Sequence, residues 1–148
     1  MAKLRISGNR ESIIDPDDFV RFSDTKWHMA GKGYVKSRKG YLHRLIIGAS
    51  NGEEVDHING DKLDNRRCNL RLASSNENKW NRGKQRGSYS SRFKGVSWHA
   101  ASQSWRAQIN VRRKLINLGY YHSEIDAARA YNEGALKYHG AFASLNNI

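Results

Sequence analysis

The alternation of apolar and polar residues between positions 96 and 118 is the feature that most restricts the fold of this chain. Apolar side chains occupy every second position in three short runs, as expected for strands with one buried face. The polar segments at 100–104 and 112–114 then predict the turns of an antiparallel sheet. The residues expected on the buried face are Val96, Trp98, Trp105, Ala107, Ile109, Ile116 and Leu118.

A helix is predicted directly after these strands. Ser123, with Asp126 three residues later, approximates an N-terminal capping box, and Gly140 is a typical stop signal. Between them, apolar residues recur at intervals of three or four positions and form one stripe along a helix. This stripe consists of Ile125, Ala128, Tyr131, Ala135 and Tyr138. The sequence therefore predicts a three-stranded antiparallel sheet packed on one helix over residues 93–142.

The charge of the chain indicates a polyanionic partner. Its 148 residues include 26 Lys and Arg against 14 Asp and Glu, which gives a formal net charge of +12. Nucleic acid is the first partner that such a balance suggests, and an anionic membrane surface is the second. No apolar run approaches the roughly 20 residues of a membrane span, and the N-terminal MAKLRISGNR contains no apolar signal segment. We therefore expect a cytoplasmic protein that is not secreted and has no membrane partner.

The basic residues are unevenly distributed, and their distribution predicts two domains. Ten of them fall in the stretch 78–122, which contains no acidic residue. Residues 81–91 within it are polar, contain Gly and Ser and lack aliphatic side chains, which is typical of a linker. We expect one domain at residues 1–80, a basic linker at 81–91 and a second domain at 92–148.

Short elements are predicted along the first domain from capping and turn residues. They are a strand at Ser12–Ile14, a helix from Pro16 to about Ser23 capped by Asp15, a hairpin around Arg38–Gly40, a helix at His43–Ile47, strands at Glu54–Ile58 and Asn69–Leu72, and a helix from Ser74 or Ser75 to about Asn81. The last three elements give the order strand, strand, helix.

Residues 53–78 form the most specific motif of the chain. They read EEVDHINGDKLDNRRCNLRLASSNEN, with an Asp-His pair on the first of these strands and an Asn in the closing helix. This stretch resembles the HNH endonuclease motif in its H-N-N variant. The preceding YLHRLIIGA resembles the segment ahead of the motif in phage and intron-encoded homing endonucleases. The resemblance implies an α+β protein whose first domain is a ββα-metal (HNH) nuclease, in a bacterium or a phage-infected cell.

The resemblance also implies a role for each polar residue of the motif. Asp56 and Asn78 would be ligands of one divalent cation, and His57 would be the general base that activates water. Asn69 would orient the His57 ring from across the hairpin, whereas the competing candidate Asn65 would brace the loop. The family often has His at the last position. Because Asn78 stands there instead, the expected cation is Mg²⁺ or Mn²⁺, one per active site.

Basic residues near the motif are expected to contact DNA phosphates, although an ordinary solvated surface is the alternative for any one of them. They are Arg66, Arg67 and Arg71 beside the motif, and Lys36, Arg38 and Lys39 on the predicted hairpin. The role of His43, in LHRL, is open. This residue either packs against or caps its short helix, or it assists the reaction at a phosphate.

Residues 92–146 resemble the Apetala-two/ethylene-response-factor (AP-two/ERF) DNA-binding domain, through the motifs KGVSW, WRAQI, LGYY, AARAYNEGALKYHG and the final LN. The resemblance implies a sheet that lies in the DNA major groove and a helix that braces its back. By alternation, the outer face of this sheet carries Lys94, Ser97, His99, Arg106, Gln108, Asn110, Arg112 and Asn117. Such side chains can bind base edges or phosphates. We predict no aromatic residue on this face, which disfavours a structured-RNA ligand.

Together these patterns predict a metal-dependent homing endonuclease that cleaves or nicks double-stranded DNA near a site recognised by its C-terminal domain. A DNA-binding transcription regulator with an inactive nuclease fold is the alternative. We expect no small-molecule cofactor and a monomer or weak dimer. An 11-residue linker spans at most roughly 36 Å, so recognition is expected within about one to one and a half turns of the cut.

Overall fold

The computed structural model describes residues 1–84 and 87–148, and these residues form two compact units, 1–78 and 79–148. Gln85 and Arg86, in the predicted linker, lie outside the described residues. The predicted boundaries at 80 and 92 therefore stay predictions. In the part of the chain that the structure describes, no helix has the length and apolar character needed to cross a membrane.

The first unit contains two hairpins, a small three-stranded sheet and short helices. Its elements are β1 (Ala2–Ile6), β2 (Arg10–Ile14), α1 (Pro16–Phe22), β3 (His28–Met29), β4 (Val35–Ser37), β5 (Gly40–Tyr41), α2 (Leu42–Ile47), β6 (Glu54–His57), β7 (Leu70–Ala73) and α3 (Ser75–Asn81), whose last residues belong to the second unit. Strands β1 and β2 pair antiparallel, as do β6 and β7, while β4 lies between β3 and β5. The predicted order of strand, strand and helix around the motif is confirmed.

Local signals explain where these helices begin and end. Gly48 has φ 72°, and this left-handed conformation ends α2. Ser74 and Glu77 form a reciprocal capping box at the start of α3, because the Glu77 carboxylate accepts the Ser74 N–H at 2.7 Å. Asp15 is the N-cap residue of α1 as expected, but its side chain makes no capping hydrogen bond. Its carboxylate accepts the backbone N–H of Arg67 at 2.8 Å instead.

The core of the first unit lies under the segment that carries the motif. Its buried apolar residues are Leu4, Ile6, Ile14, Phe22, Trp27, Val35, Leu42, Ile46, Val55 and Leu70. Val55 belongs to β6 and Leu70 to β7. The hairpin of β6 and β7, called the motif hairpin below, is therefore anchored by one side chain from each strand. This anchoring leaves the polar residues of the hairpin at defined positions above the core.

An ion pair between a buried carboxylate and a half-exposed arginine connects α1 to the 3₁₀ turn at Arg67–Asn69. The side chain of Asp18 is fully buried, and its two carboxylate oxygens accept hydrogen bonds from Arg67 at 2.8 and 2.9 Å. Arg21 adds a longer contact of 3.3 Å to Asp18. The guanidinium of Arg67 thus binds the carboxylate of Asp18. The sequence predicted only a contact between Arg67 and DNA phosphate.

Removing Arg67 is expected to destabilise the first unit more than removing Asp18. Arg67→Ala leaves the buried Asp18 carboxylate without its main partner, at a cost of about 3 kcal/mol in the free energy of unfolding. Asp18→Ala leaves arginines that water can reach, so we expect only about 1–2 kcal/mol. Urea denaturation followed by circular dichroism measures both values. Arg38→Ala is the control, because Arg38 is exposed. If Arg67→Ala is as stable as Arg38→Ala, the expectation is contradicted.

The second unit is the predicted sheet packed on one helix. It consists of β8 (Val96–His99), β9 (Ser104–Val111), β10 (Lys114–Tyr121) and α4 (Glu124–His139), with β9 central in an antiparallel sheet. Ser123 caps α4 by accepting the N–H groups of Ile125 and Asp126. The core of this unit is Phe93, Val96, Ala107, Ile109, Ala127, Ala128, Tyr131 and Ala135. The predicted α+β fold class is therefore confirmed.

A β-bulge in β10 changes which side chains face outward. The register shifts between Asn117 and Gly119, so that Tyr120 pairs with Arg106 on the outer face. Tyr120 is 47% exposed. The prediction that this face lacks aromatic residues is therefore wrong, because strict alternation does not anticipate a bulge. The argument against an RNA ligand depended on the absence of aromatic residues from this face, so it no longer holds.

Two apolar residues expected in the core of the second unit are partly exposed. Trp98, on the edge strand β8, is 44% exposed, with its ring 5.2 Å from that of Trp105. Ile125, in the first turn of α4, is 41% exposed. Both lie near the end of their element, where the facing layer no longer covers them.

Candidate active site and nucleic-acid face

The motif hairpin places Asp56 and His57 side by side on β6, with both side chains buried. Asp56 pairs across the ladder with Arg71, and His57 pairs with Leu70. Neighbouring residues of a strand point to opposite faces. This arrangement agrees with the expectation that the two side chains do different work.

Asn65 is the hydrogen-bond partner that the structure places at the His57 ring. Its Oδ1 lies 3.2 Å from Nε2 of His57. The orientation of this amide follows from its other contacts: Nδ2 donates to the carbonyl of Lys62 at 3.1 Å and to Oγ of Ser12 at 2.8 Å. A carbonyl only accepts, so the amide nitrogen must face Lys62 and Oδ1 must face His57.

This contact assigns the tautomer of His57. Since Oδ1 of Asn65 is an acceptor, Nε2 of the neutral ring carries the proton and donates it to Asn65. The lone pair is then on Nδ1. A general base takes a proton through its lone pair, so Nδ1 is the atom suited to activate water.

Asn69 holds the loop and not the ring in the hydrogen bonds that the structure gives it. Its Nδ2 donates to the carbonyl of Asp64 at 2.8 Å and to Oδ1 of Asn59 at 2.9 Å, while its Oδ1 accepts the Asn59 N–H at 3.0 Å. The expectation that Asn69 orients His57 and Asn65 braces the loop is therefore corrected. Asn65 contacts the ring, and Asn69 closes the loop that presents Asn65.

Burial dominates the electrostatics of the two histidines at the site. Desolvation lowers the pKa of His57, although the bond to Asn65 and the neighbouring carboxylates oppose this effect. Burial, followed by the charges of His57 and Arg44, lowers the pKa of His43 to about 4. Both rings are therefore neutral near pH 7, which is the state that a general base requires.

His43 belongs to a cluster of rings beside His57. Its ring centroid lies 5.2 Å from that of His57, 5.1 Å from Tyr34 and 5.7 Å from Tyr41. His43 is buried in the first turn of α2. Its ring packs against His57, and it also lines a cavity of about 440 Å³ together with Glu54 and Asn78, so both readings of the sequence stay open.

The two predicted metal ligands each contact a charged neighbour. Nε and Nη2 of Arg71 donate to Oδ2 of Asp56 at 2.9 and 2.7 Å. Nδ2 of Asn78 donates to Oε2 of Glu54 at 2.6 Å. Arg71, predicted to contact phosphate, thus neutralises the carboxylate that a cation would use. A cation at Asp56 would share the carboxylate with Arg71 or displace the guanidinium.

The donor set fits a hard divalent cation. Asp56 supplies a carboxylate and Asn78 an amide oxygen, and both are oxygen ligands. Within residues 1–84 and 87–148, no group of three or more His, Cys, Asp or Glu side chains is arranged to hold a metal. The protein would therefore contribute few ligands, and water and phosphate oxygens would complete the coordination shell.

The remaining basic residues near the motif differ in their surroundings. Arg66 forms an ion pair with Asp64 through bonds of 2.6 and 2.7 Å. This pair lowers the pKa of Asp64. Lys36 lies 5.0 Å from the ring centroid of Tyr41, and Arg38 and Lys39 are exposed. Their predicted contacts with phosphate stay predictions.

The strand register tests the predicted outer face of the second unit. Ser97 pairs with Arg106, and Gln108 pairs with Asn117, so these four share the outer face with Tyr120. The ring of His99 lies 5.1 Å from that of Tyr120. The side-chain oxygens of Asn110 and Asn117 accept N–H groups in the turn and the bulge. Arg112 lies in the turn with φ 49°.

Lys94 does not belong to this face, and its prediction is wrong. It precedes β8, and its ammonium donates to the carbonyls of Trp80 at 2.7 Å and Arg82 at 2.6 Å. Burial lowers the pKa of Lys94 to about 8. The ammonium therefore holds the end of a neighbouring segment of the same unit. Lys94 is two positions before the inward-facing Val96, so period-two alternation does not place it on the outer face.

Comparison with known proteins supports the reading of the motif. A family model described as HNH endonuclease matches residues 40–79. An uncharacterized HNH endonuclease of Acanthamoeba polyphaga mimivirus is 32% identical over 149 residues, covering 93% of this chain and 75% of the viral protein. Protein 3.8 of Escherichia phage T7 is 39% identical over 66 residues, covering 45% of this chain and 54% of that protein.

A further similarity is shorter. An APETALA2-like protein 2 of Oryza sativa is 38% identical over 59 residues, which is 38% of this chain and 13% of the rice protein. The match to the mimivirus protein, in contrast, extends over most of both chains. Because that match includes a motif folded around His57 and Asp56, this chain belongs to the HNH endonuclease family.

Proposed function

We propose that the protein is a Mg²⁺- or Mn²⁺-dependent endonuclease of the homing type that cleaves double-stranded DNA beside a site bound by its C-terminal unit. The observation that carries the proposal is the position of Asn65 Oδ1, an acceptor 3.2 Å from Nε2 of His57, which leaves the lone pair of the neutral ring on Nδ1.

The residues divide the reaction between them. Asp56 and Asn78 would hold the cation, which when bound stabilises the charge that develops on the phosphate and the leaving oxygen. Nδ1 of His57 takes a proton from water as the water oxygen bonds to phosphorus. The bond from phosphorus to the 3′-oxygen breaks, and the departing 3′-oxygen takes a proton from solvent water, which leaves 5′-phosphate and 3′-hydroxyl ends. Asn65 takes no part in the proton transfer. It keeps the imidazole of His57 in the tautomer whose lone pair is on Nδ1.

The C-terminal unit is proposed to supply recognition as an AP-two/ERF-like domain. Its outer face carries Arg106 and Gln108, whose side chains can bind base edges in the major groove, and no acidic residue occurs from 78 to 122. Tyr120 adds a partly exposed ring to this face. One active site per chain cuts one strand, so a monomer would nick DNA and a dimer would be needed for a double-strand break.

Strand-specific mapping of cleavage on a randomised DNA library with Mg²⁺ tests the whole proposal. We expect nicks at a fixed distance, within about one to one and a half helical turns, from an enriched sequence. Arg106→Ala is expected to reduce that enrichment without abolishing cleavage, whereas Arg10→Ala, at an exposed basic residue outside the predicted DNA contacts, serves as the control. Cleavage without any enriched flanking sequence would contradict recognition by the C-terminal unit. A parallel RNA library is expected to remain uncut.

A further inference from the structure

We propose that Glu54 is a positioning residue for the metal ligand Asn78 and turns its amide oxygen toward the cation. The inference rests on the proposed metal site of Asp56 and Asn78. Glu54 has no role in the motif as read from the sequence, where it is simply the first residue of a strand. The structure shows its carboxylate in contact with the ligand from the closing helix.

The backbone brings Glu54 and Asn78 into contact on the face of the hairpin to which Asp56 also points. Glu54 and Asp56 are two positions apart on β6, so both point to the same face of the hairpin. Asn78 lies in α3, which follows β7 after a single residue and returns along this face. Nδ2 of Asn78 is 2.6 Å from Oε2 of Glu54. Glu54 and Asn78 also line the same cavity of about 440 Å³.

The chemistry of the pair determines the orientation of the amide. A carboxylate can only accept a hydrogen bond, so the nitrogen of Asn78 must face Glu54 and the oxygen must point away from it. Only the oxygen of an asparagine binds a hard cation, while its N–H groups would repel one. Without Glu54, both orientations of the amide are open to a half-buried Asn78. Glu54 therefore removes the orientation that cannot bind metal.

This role differs from that of a direct ligand. In the structure Oε2 of Glu54 is engaged with Asn78, whereas Asp56 is engaged with Arg71. If Glu54 acts through Asn78, then its effect on the cation must disappear when Asn78 is removed. If Glu54 binds the cation itself, its effect must persist. A double-mutant cycle separates these cases.

The test is Mn²⁺ binding to the full chain without DNA, measured by titration with electron paramagnetic resonance. Glu54→Ala is expected to weaken Mn²⁺ affinity by about tenfold or more, as loss of a partner of a metal ligand does. Glu54→Gln, whose amide oxygen can accept the same bond, is expected to recover part of the affinity. In an Asn78→Ala background, Glu54→Ala is expected to change the affinity by less than about twofold.

Glu53→Ala is the matched control, because this adjacent exposed carboxylate accepts the N–H of Ser50 instead. Its affinity for Mn²⁺ should equal that of the wild type. Unchanged affinity in Glu54→Ala, or a second tenfold loss in the Asn78→Ala background, would overturn the inference. Asp56→Ala tests the underlying site: if that variant keeps its Mn²⁺ affinity, the proposed metal site itself is wrong. If it loses the affinity while Glu54→Ala does not, only the role of Glu54 fails.

Discussion

Alanine in place of His57 is expected to lower the rate of plasmid cleavage by about 10²–10⁴-fold, the range that general acid–base catalysis contributes. The variant has no group to take the proton from the attacking water. Asp56→Ala is expected to lower the rate to a similar extent, because it removes the charged ligand of the cation. Conversion of supercoiled plasmid to nicked and linear forms with Mg²⁺ measures both effects.

The controls separate chemistry from folding. His28 and Asp17 are exposed and lie outside the motif, so His28→Ala and Asp17→Ala should cleave like the wild type. Asp56→Asn complements Asp56→Ala, since its amide oxygen can still accept a bond from Arg71. Circular dichroism checks that each variant is folded. If neither His57→Ala nor Asp56→Ala changes the rate measured with the wild type, the motif is not catalytic. The chain would then be a DNA-binding protein with an inactive nuclease fold.

The elements around the motif were predictable because their signals are local. The capping box at Ser74 and Glu77, the stop at Gly48 and the alternation along β9 each involve residues a few positions apart. Such signals act before tertiary contacts form, so the sequence shows them directly. The same is true of Asp56 and His57, whose opposite directions follow from the pleat of a strand.

The partners of the charged side chains were not predictable in this way. Arg67 meets Asp18 across 49 residues, and Arg71 meets Asp56 across a hairpin whose register the sequence does not specify. A basic residue in a basic chain suggests a contact with DNA phosphate. A buried carboxylate of the same protein is nevertheless the stronger partner when the fold brings the two side chains together. The bulge that exposes Tyr120 was also missed, since strict alternation along β10 does not anticipate a shift in register.

The exchange of roles between Asn65 and Asn69 leads to the second large effect. Replacing Asn65 by the similarly sized leucine removes the acceptor of the His57 Nε2 proton. The ring is then free to change tautomer and orientation, and we expect cleavage to fall by about 10²-fold, as for a misplaced catalytic group. DNA affinity should stay the same, because Asn65 is buried away from solvent.

The tautomer itself provides a readout that loss of stability alone does not move. Asn65→Leu also removes bonds to Ser12 and Lys62, at a cost of about 1–3 kcal/mol, so activity is compared where circular dichroism shows both proteins folded. ¹⁵N spectra of the imidazole should show the proton on Nε2 in the wild type and a mixture in the variant. Asn76→Leu, on the exposed surface of α3, is the control. An unchanged tautomer with normal cleavage would mean that the strand and the neighbouring rings, rather than Asn65, hold His57 in its basic form.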